Sequence, residues 1–141
     1  MSQENVELHR RATEAYNARD IDAYIALCDS RIEFHSVLAA VEGGVYHGHD
    51  GLRRSVEDIE DAMGDEGRLE AEAYFDLGEQ TLVFYEVHAR GRQSGAAVTG
   101  RFAQVARWRD GLGVYMKVYA HKEDALKDLG VSEDDLEPIA P

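Results

Sequence analysis

The sequence has few of the features that mark specialised classes of protein. It carries one cysteine, Cys28, which excludes a disulfide within the chain. No stretch approaches the roughly 20 apolar residues that a membrane-spanning helix needs, and "MSQENVELHRRATEAYNARD" lacks the apolar core of a secretory signal. We therefore expect a cytoplasmic protein without membrane contact, in which Cys28 packs in the core rather than reacting as a thiol.

Positive charge is also scarce. The chain has 15 Lys and Arg residues against 28 Asp and Glu residues, a formal net charge of −13. Nucleic acids and anionic membrane surfaces are bound through clusters of basic side chains. This balance therefore argues against both as partners.

The composition is otherwise that of a soluble globular protein. Of the 141 residues, 44% are hydrophobic and 30% are charged, which fits a single domain with a sizeable core. We assign residues 1–131 to that domain and residues 132–141 to an acidic tail, in which Leu136 and Ile139 are the apolar residues able to dock.

Apolar residues at helical spacing predict four helices. The first covers residues 4–18, and Asp20 is placed to cap a short second one. A third runs from Leu52 to about Gly64, and "KEDALKDLG" forms the last. The apolar face of the first helix is defined by Leu8, Ala12, Ala15 and Tyr16.

Alternation of apolar and polar residues predicts the strands. "SRIEFHS" (30–36) lies between the second and third helices. Four longer strands follow the third helix, joined by turns at "GEQ", "QSGA" and "RDGLG": "RLEAEAYFDL", "TLVFYEVHARGR", "VTGRFAQVARWRDG" and "GVYMKVYAH". Helices gathered at one end of the chain and strands at the other indicate an α+β fold rather than a doubly wound parallel sheet.

The segment "EGGVYHGHDG" (42–51) has three interpretations. His47 and His49 supply two metal ligands at best, so a metal centre that also recruits His35 is a weaker alternative. A phosphate-binding loop requires Gly-Lys-Ser/Thr at the helix entry, whereas this chain continues Gly-Leu-Arg-Arg. We interpret the segment as a loop that turns at a glycine, with His49 or Asp50 capping the next helix.

Three segments, in this order, resemble nuclear transport factor 2-like proteins. "ARDIDAYIALCDSRIEFH" resembles their second helix and first strand, and "EFHSVLAAVEGGVYHGHDGLRRSVEDIEDAM" resembles the strand, loop and Gly-x-x-Gly entry to their third helix. "VARWRDGLGVYMKVYAHKEDALKDLG" resembles their last hairpin, strand and helix, with His121 where an Asp is usual. The resemblance covers about residues 5–131 and is closest to the SnoaL-like branch, named for polyketide cyclases.

The resemblance implies a cystatin-like α+β roll. In this fold a cone-shaped, curved antiparallel sheet wraps around the amino-terminal helices and leaves a cavity open at one end. The superfamily contains ketosteroid isomerases, limonene epoxide hydrolases, polyketide cyclases, scytalone dehydratases and non-catalytic binding modules, so the fold does not fix the chemistry. Homodimers formed through the outer face of the sheet are common in it, and we expect one here.

The candidate catalytic residues are His35, Tyr16 and Tyr119. His35 lies on a strand expected to lead into the cavity, and imidazole titrates near neutral pH, as a general base should. A histidine in the core or turned outward is the alternative. Tyr16 lies near the place where ketosteroid isomerases carry a first-helix tyrosine that donates to the oxyanion. Tyr119 is a second candidate donor, on the strand where family members often line the cavity.

The candidate substrate-binding residues are Arg101, Lys117, Tyr46 and Tyr85. Arg101 or Lys117 would stabilise charge on an anionic or carbonyl oxygen, and pairing of Arg101 with a surface acid is the alternative. Tyr46 and Tyr85 are the other two residues that we assign to substrate binding. No residue is assigned as a metal ligand.

Together these residues predict cofactor-independent acid–base chemistry on a small, mostly apolar carbonyl compound or epoxide, by isomerisation, cyclisation or hydrolysis. No nucleophile elbow or dinucleotide fingerprint is present, and we expect no cofactor. The alternative is a non-catalytic module of the same fold that binds a ligand in the cavity or a protein on the sheet. A titratable pair inside the cavity favours the enzyme, and a dry apolar cavity favours binding alone.

Overall fold

Four α-helices and one six-stranded sheet make up the part of the chain that the computed structural model describes, residues 3–37, 44–64, 66–90 and 97–141. The predicted α+β class is confirmed. The helices are α1 (Glu4–Asn17), α2 (Ile21–Ala26), α3 (Gly48–Met63) and α4 (Lys122–Leu129). The strands are β1 (Cys28–His35), β2 (Val45–His47), β3 (Arg68–Leu77), β4 (Gln80–Arg90), β5 (Ala97–Arg109) and β6 (Leu112–Tyr119).

The strands follow the order β2-β1-β6-β5-β4-β3. Neighbours run antiparallel, as expected, except β1 and β6, which pair in parallel with Phe34 opposite Met116. The register shifts within three of the pairings, for example at Glu72 in β3 and between Arg107 and Trp108 in β5. Such bulges bend and twist a strand, which suits the curved, unclosed sheet around the amino-terminal helices.

The first two helices begin and end close to the predicted positions. α1 buries a face centred one position away from the predicted one, so Leu8 and Ala15 are only half-buried. The Asp20 carboxylate accepts a hydrogen bond from the Ala23 N–H at 3.1 Å, which confirms it as the cap of α2. The buried face of α1 consists of Val6, His9, Ala12, Thr13 and Tyr16.

The entry to α3 differs from the prediction of a loop. Strand β2 pairs with β1, and the helix begins at once, at Gly48. Gly48 has φ +74°, and a Cβ there would lie 3.1 Å from the Ser30 carbonyl oxygen, so this sharp turn favours glycine. The expected cap by His49 or Asp50 is wrong: the capping position is His47, without a side-chain cap, and His49 Nε2 donates instead to the Cys28 carbonyl at 2.8 Å.

Both faces of the sheet carry apolar clusters. Helices α1 to α3 cover one face, around Ile32, Leu52 and Trp108. Helix α4 covers part of the other face, around Leu82 and Phe84. We call these the inner and outer faces of the sheet. Cys28 is buried on the inner side, as expected, and is the first residue of β1.

The carboxyl-terminal residues dock on the domain. Ile139 exchanges two backbone hydrogen bonds with Tyr74 of β3, at 3.0 and 2.7 Å. Leu136 packs against the cluster under α4. Both residues therefore contact the domain, as their apolar character suggested. The predicted "QSGA" turn lies outside the described residues.

None of the helices in the described ranges is long and apolar enough to cross a membrane.

Candidate functional site

A cavity of about 310 Å³ lies between the inner face of the sheet and helices α1 to α3. Its walls are mostly apolar and come from both layers. The strands contribute alternate residues, because successive side chains of a strand point to opposite faces. On the sheet side the apolar lining residues are Phe34, Leu69, Val87, Phe102, Met116 and Val118, and on the helix side they are Ala12, Val56 and Ile59.

His9 is the centre of a buried polar chain at the wall of this cavity. Its side chain is 1% exposed, with Nδ1 at 2.7 Å from Thr81 Oγ1 and Nε2 at 3.0 Å from Gln104 Oε1. Trp108 Nε1 donates to the same Thr81 oxygen at 2.9 Å. Because a carbonyl-type oxygen only accepts, His9 Nε2 carries the ring hydrogen and Nδ1 accepts from the Thr81 hydroxyl.

A second polar group in the cavity is built on Thr13. Its hydroxyl donates to the His9 carbonyl at 3.1 Å and accepts from the Tyr85 hydroxyl at 2.5 Å. The Tyr74 hydroxyl also donates to it, at 3.3 Å. The hydrogen of Tyr85 is therefore committed to Thr13, so this tyrosine is a poor donor for a ligand.

Burial keeps the imidazole and the phenols of the cavity neutral. Desolvation lowers the pKa of His9 to about 4, against the opposing effect of its hydrogen bond to Gln104. Burial likewise raises the pKa of Tyr16, Tyr24 and Tyr85. At neutral pH the cavity therefore holds a neutral imidazole and three protonated phenols.

Three of the predicted site residues line the cavity: Tyr16, Tyr85 and Arg101. Tyr16 is buried, and the Arg19 guanidinium lies 5.2 Å from the centre of its ring. Arg101 lies at the rim, with a 72% exposed side chain that pairs with Glu72 and Glu86 at 3.4 and 3.5 Å. Arg101 therefore makes the surface ion pairs that were the alternative for it, and its role in binding a ligand stays a prediction.

Three other predicted residues lie on the outer face. His35 alternates with the lining residues of β1, and its ring is 5.0 Å from that of Tyr115. Its Nε2 lies 3.1 Å from Glu33 Oε2. Lys117 pairs with Asp128 of α4 at 3.7 Å, and the Tyr119 hydroxyl donates to the same Asp128 oxygen at 2.8 Å.

Tyr46 is buried but is not part of the cavity wall. Its hydroxyl donates to Asp58 of α3 at 2.6 Å, and its ring lies 6.3 Å from that of Phe34. Burial, together with the bond to Asp58, raises the pKa of Tyr46 to about 12. The geometry is that of a packing residue between β2 and α3.

Sequence reasoning missed several polar residues of the cavity, among them His9, Thr13, Tyr24 and Gln104. Three of them carried a usable signal. His9 and Thr13 stand four residues apart and Tyr16 three further on, which is one helical face. Gln104 stands two residues from Phe102 on a strand, so it shares that residue's face.

One cluster of potential metal ligands lies among the described residues, outside the cavity. Carboxylate oxygens of Glu70 and Glu86 and a ring nitrogen of His88 lie within 4.8 Å of one another on the outer face. Arg101 also contacts Glu86, which places a positive charge beside that cluster. In the described part of the chain, the three histidines weighed for a metal centre, His35, His47 and His49, form no such cluster.

The comparisons with known proteins agree with this architecture. A family model described as a SnoaL-like domain matches residues 9–116. An NTF2-like protein of unknown function from Burkholderia pseudomallei superposes with a TM-score of 0.75 at 22% identity, over 90% of this chain and 97% of that chain. A putative polyketide cyclase from Xanthomonas campestris pv. campestris gives 0.72 at 17% identity, over 89% and 96%.

A third solved structure contains a small molecule. Mycobacterium tuberculosis Rv0760c, in complex with estradiol-17beta-hemisuccinate, superposes with a TM-score of 0.71 at 13% identity, over 85% of this chain and 95% of that chain. These low identities establish a shared fold alone. No protein with curated annotation matches the sequence significantly. The family model, which spans most of the chain, shows that the chain belongs to the SnoaL-like family of the nuclear transport factor 2-like superfamily.

Proposed function

We propose that this protein binds one small, mostly apolar, oxygen-bearing molecule in the cavity between the sheet and α1 to α3. The observation that carries the proposal is the cavity itself: about 310 Å³ of space with mostly apolar walls. Pockets for small molecules start at about 300 Å³ and are mostly apolar with a few placed polar groups. A structural neighbour in complex with estradiol-17beta-hemisuccinate supports a ligand of this general kind.

Cofactor-independent acid–base catalysis on a carbonyl compound or epoxide is the second candidate. The observation in its favour is that a neutral imidazole and a tyrosine hydroxyl, on His9 and Tyr16, line the same cavity. Isomerisation and cyclisation both need a proton moved next to a carbonyl that is polarised by a donor. Both ring nitrogens of His9 are already hydrogen-bonded, however, which favours binding as the primary function.

Binding in the cavity is tested with two substitutions on opposite faces of one strand. Val118→Phe fills the cavity, whereas Lys117→Phe places the same side chain on the outer face. With 1-tetralone as the probe, ligand-observed NMR should show binding to the wild type and to Lys117→Phe, and loss of at least about tenfold in affinity for Val118→Phe. Equal binding by both variants, or none by the wild type, would overturn the proposal.

Catalysis is tested by hydrogen exchange in the probe. A base in the cavity should exchange the hydrogens next to the 1-tetralone carbonyl for deuterium in D₂O, faster than buffer alone. His9→Gln and Tyr16→Phe should each reduce this rate, while Lys117→Phe should not. If the wild type binds 1-tetralone and the exchange rate equals that of buffer, the acid–base candidate is set aside and binding stands.

Assembly and location belong to the same proposal. We propose a homodimer formed through the exposed part of the outer face and a cytoplasmic location. Sedimentation analysis at micromolar concentration checks the first, and a monomer would contradict it. Cell fractionation checks the second.

A further inference from the structure

Two buried hydrogen-bond donors in the cavity have, among the residues that the structure describes, only a sulfur atom as a partner. The Tyr24 hydroxyl lies 3.9 Å from Met116 Sδ, and the Gln104 amide nitrogen lies 4.0 Å from the same atom. Tyr24 is 7% exposed and Gln104 is 9% exposed. A thioether is a weak acceptor, and buried donors are almost always better satisfied than this.

The polar chain around His9 fixes the orientation of the Gln104 amide in the cavity wall. The Trp108 N–H and the Thr81 hydroxyl point along the chain towards His9, so His9 Nε2 donates to the amide oxygen of Gln104. The amide –NH₂ is thereby turned to the side of the cavity where Met116 lies. If the Gln104 amide were flipped, its oxygen would face the Met116 sulfur. Neither atom carries a hydrogen, so no hydrogen bond could form between them.

The two donors lie close to each other in the cavity wall. Both contact the same sulfur and both residues line the cavity wall. Burial raises the pKa of Tyr24, so its hydroxyl keeps its hydrogen. Among the described lining residues there is no carboxylate that would compete for these hydrogens.

We propose that the Tyr24 hydroxyl and the Gln104 amide form a recognition site for an acceptor oxygen, above all a carbonyl oxygen, at the buried end of an apolar ligand. The proposal rests on the proposed function, because it names the chemistry that the cavity selects. When a hydrocarbon of the same shape binds, both donors keep the Met116 sulfur as their weak acceptor. A ketone gives each of them a full acceptor, and displacing the weak sulfur contacts costs little.

The selection is tested with a matched pair of probes, 1-tetralone and tetralin, which differ by one carbonyl oxygen. The wild type should bind the ketone at least about tenfold more tightly, the ratio that about 1.4 kcal/mol of net hydrogen bonding gives. Tyr24→Phe and Gln104→Met should each reduce the ratio severalfold. Tyr46→Phe, which removes a buried hydroxyl outside the cavity wall, should leave the ratio unchanged.

An infrared readout keeps the test independent of variants that fold poorly. The carbonyl stretch of 1-tetralone bound to the wild type should lie at or below its frequency in water, and Tyr24→Phe should raise it. Equal affinity for the two probes, or a bound frequency equal to that in cyclohexane, overturns the recognition site while the proposed binding function stands. If neither probe binds, both the proposed function and the recognition site are overturned.

Discussion

Two histidines on opposite faces of the sheet show how differently the same side chain behaves in this protein. His9, on the inner side, is 1% exposed and has a pKa lowered to about 4 by burial. His88, on the outer face, is 43% exposed and lies 2.9 Å from Glu86 and 3.5 Å from Glu70. One is a neutral member of a buried hydrogen-bond chain, and the other is part of a solvated ionic cluster.

The contrast extends to the two faces as a whole. On the inner face, polar groups are few, desolvated and joined by short hydrogen bonds. On the outer face, away from α4, charged side chains pair in contact with water, as Arg101 of β5 does with Glu86 of β4. The face that a residue occupies, rather than its type, therefore decides whether its polar group is desolvated or solvated.

The largest difference between the faces is expected for two threonines. Thr81→Val removes a fully buried hydroxyl that bridges Trp108 and His9. Two buried groups then lose a partner, at about 2 kcal/mol each, so the free energy of unfolding should fall by about 4 kcal/mol. Thr99→Val, at an exposed position on β5 opposite His88, should change it by less than about 0.5 kcal/mol. Urea denaturation measures both, and equal effects would remove the distinction.

A pH titration of stability isolates the inner histidine. The folded-state pKa of His9, about 4, lies below the 6.5 expected of the unfolded chain, so the unfolded state takes up the proton first. The contribution of neutral His9 to the free energy of unfolding is fully present above about pH 6.5. It is lost as the pH falls through 4, and it amounts to on the order of 3 kcal/mol in total. His9→Gln should lose that part of the pH dependence in urea unfolding.

Replacement of the outer histidine is the matched control for this titration. His88→Gln should keep the acid destabilisation of the wild type, because His9 is still present. The carboxylates titrate in the wild type and in both variants. The effect of each histidine is therefore given by the difference between the stability curves of these three proteins. Parallel curves for the wild type and His9→Gln would contradict the assignment.

The smallest effect is expected on the outer face. Glu86→Gln removes a charge that contacts both His88 and Arg101. Because exposed pairs are screened by water and salt, the loss in the free energy of unfolding should stay below about 1 kcal/mol and shrink with added salt. A loss above about 2 kcal/mol would indicate that this surface is covered in solution, as a dimer through the outer face requires.

The local elements could be predicted from the sequence because their signals are local. The helical spacing around Tyr16, the cap at Asp20 and the stop at Gly130, which has φ +69°, all lie within the elements they define. The parallel pairing of β1 with β6 joins residues about 80 positions apart, and no short pattern encodes it. The three-residue strand β2 is too short for alternation to reveal.

The site was harder to predict than the fold because it depends on which face each residue occupies. His35 looked like a base, but alternation along β1 places Phe34 rather than His35 at the cavity. Its catalytic role stays a prediction, as do those of Tyr16 and Tyr119. His9 was overlooked because a one-position error in the apolar face of α1 moved it towards solvent.

Gly113 connects the packing of β6 to the polarity of the cavity. A Cβ at this position would lie 3.3 Å from the ring of Trp108 and 3.2 Å from the methyl group of Met116. Trp108 starts the chain of donors that orients Gln104, and the Met116 sulfur is the weak acceptor that the Tyr24 hydroxyl and the Gln104 amide share. A single added methyl group would therefore press on both ends of this arrangement at once. A residue with no functional group of its own thus keeps Trp108 and Met116 in the positions that the hydrogen-bond chain requires.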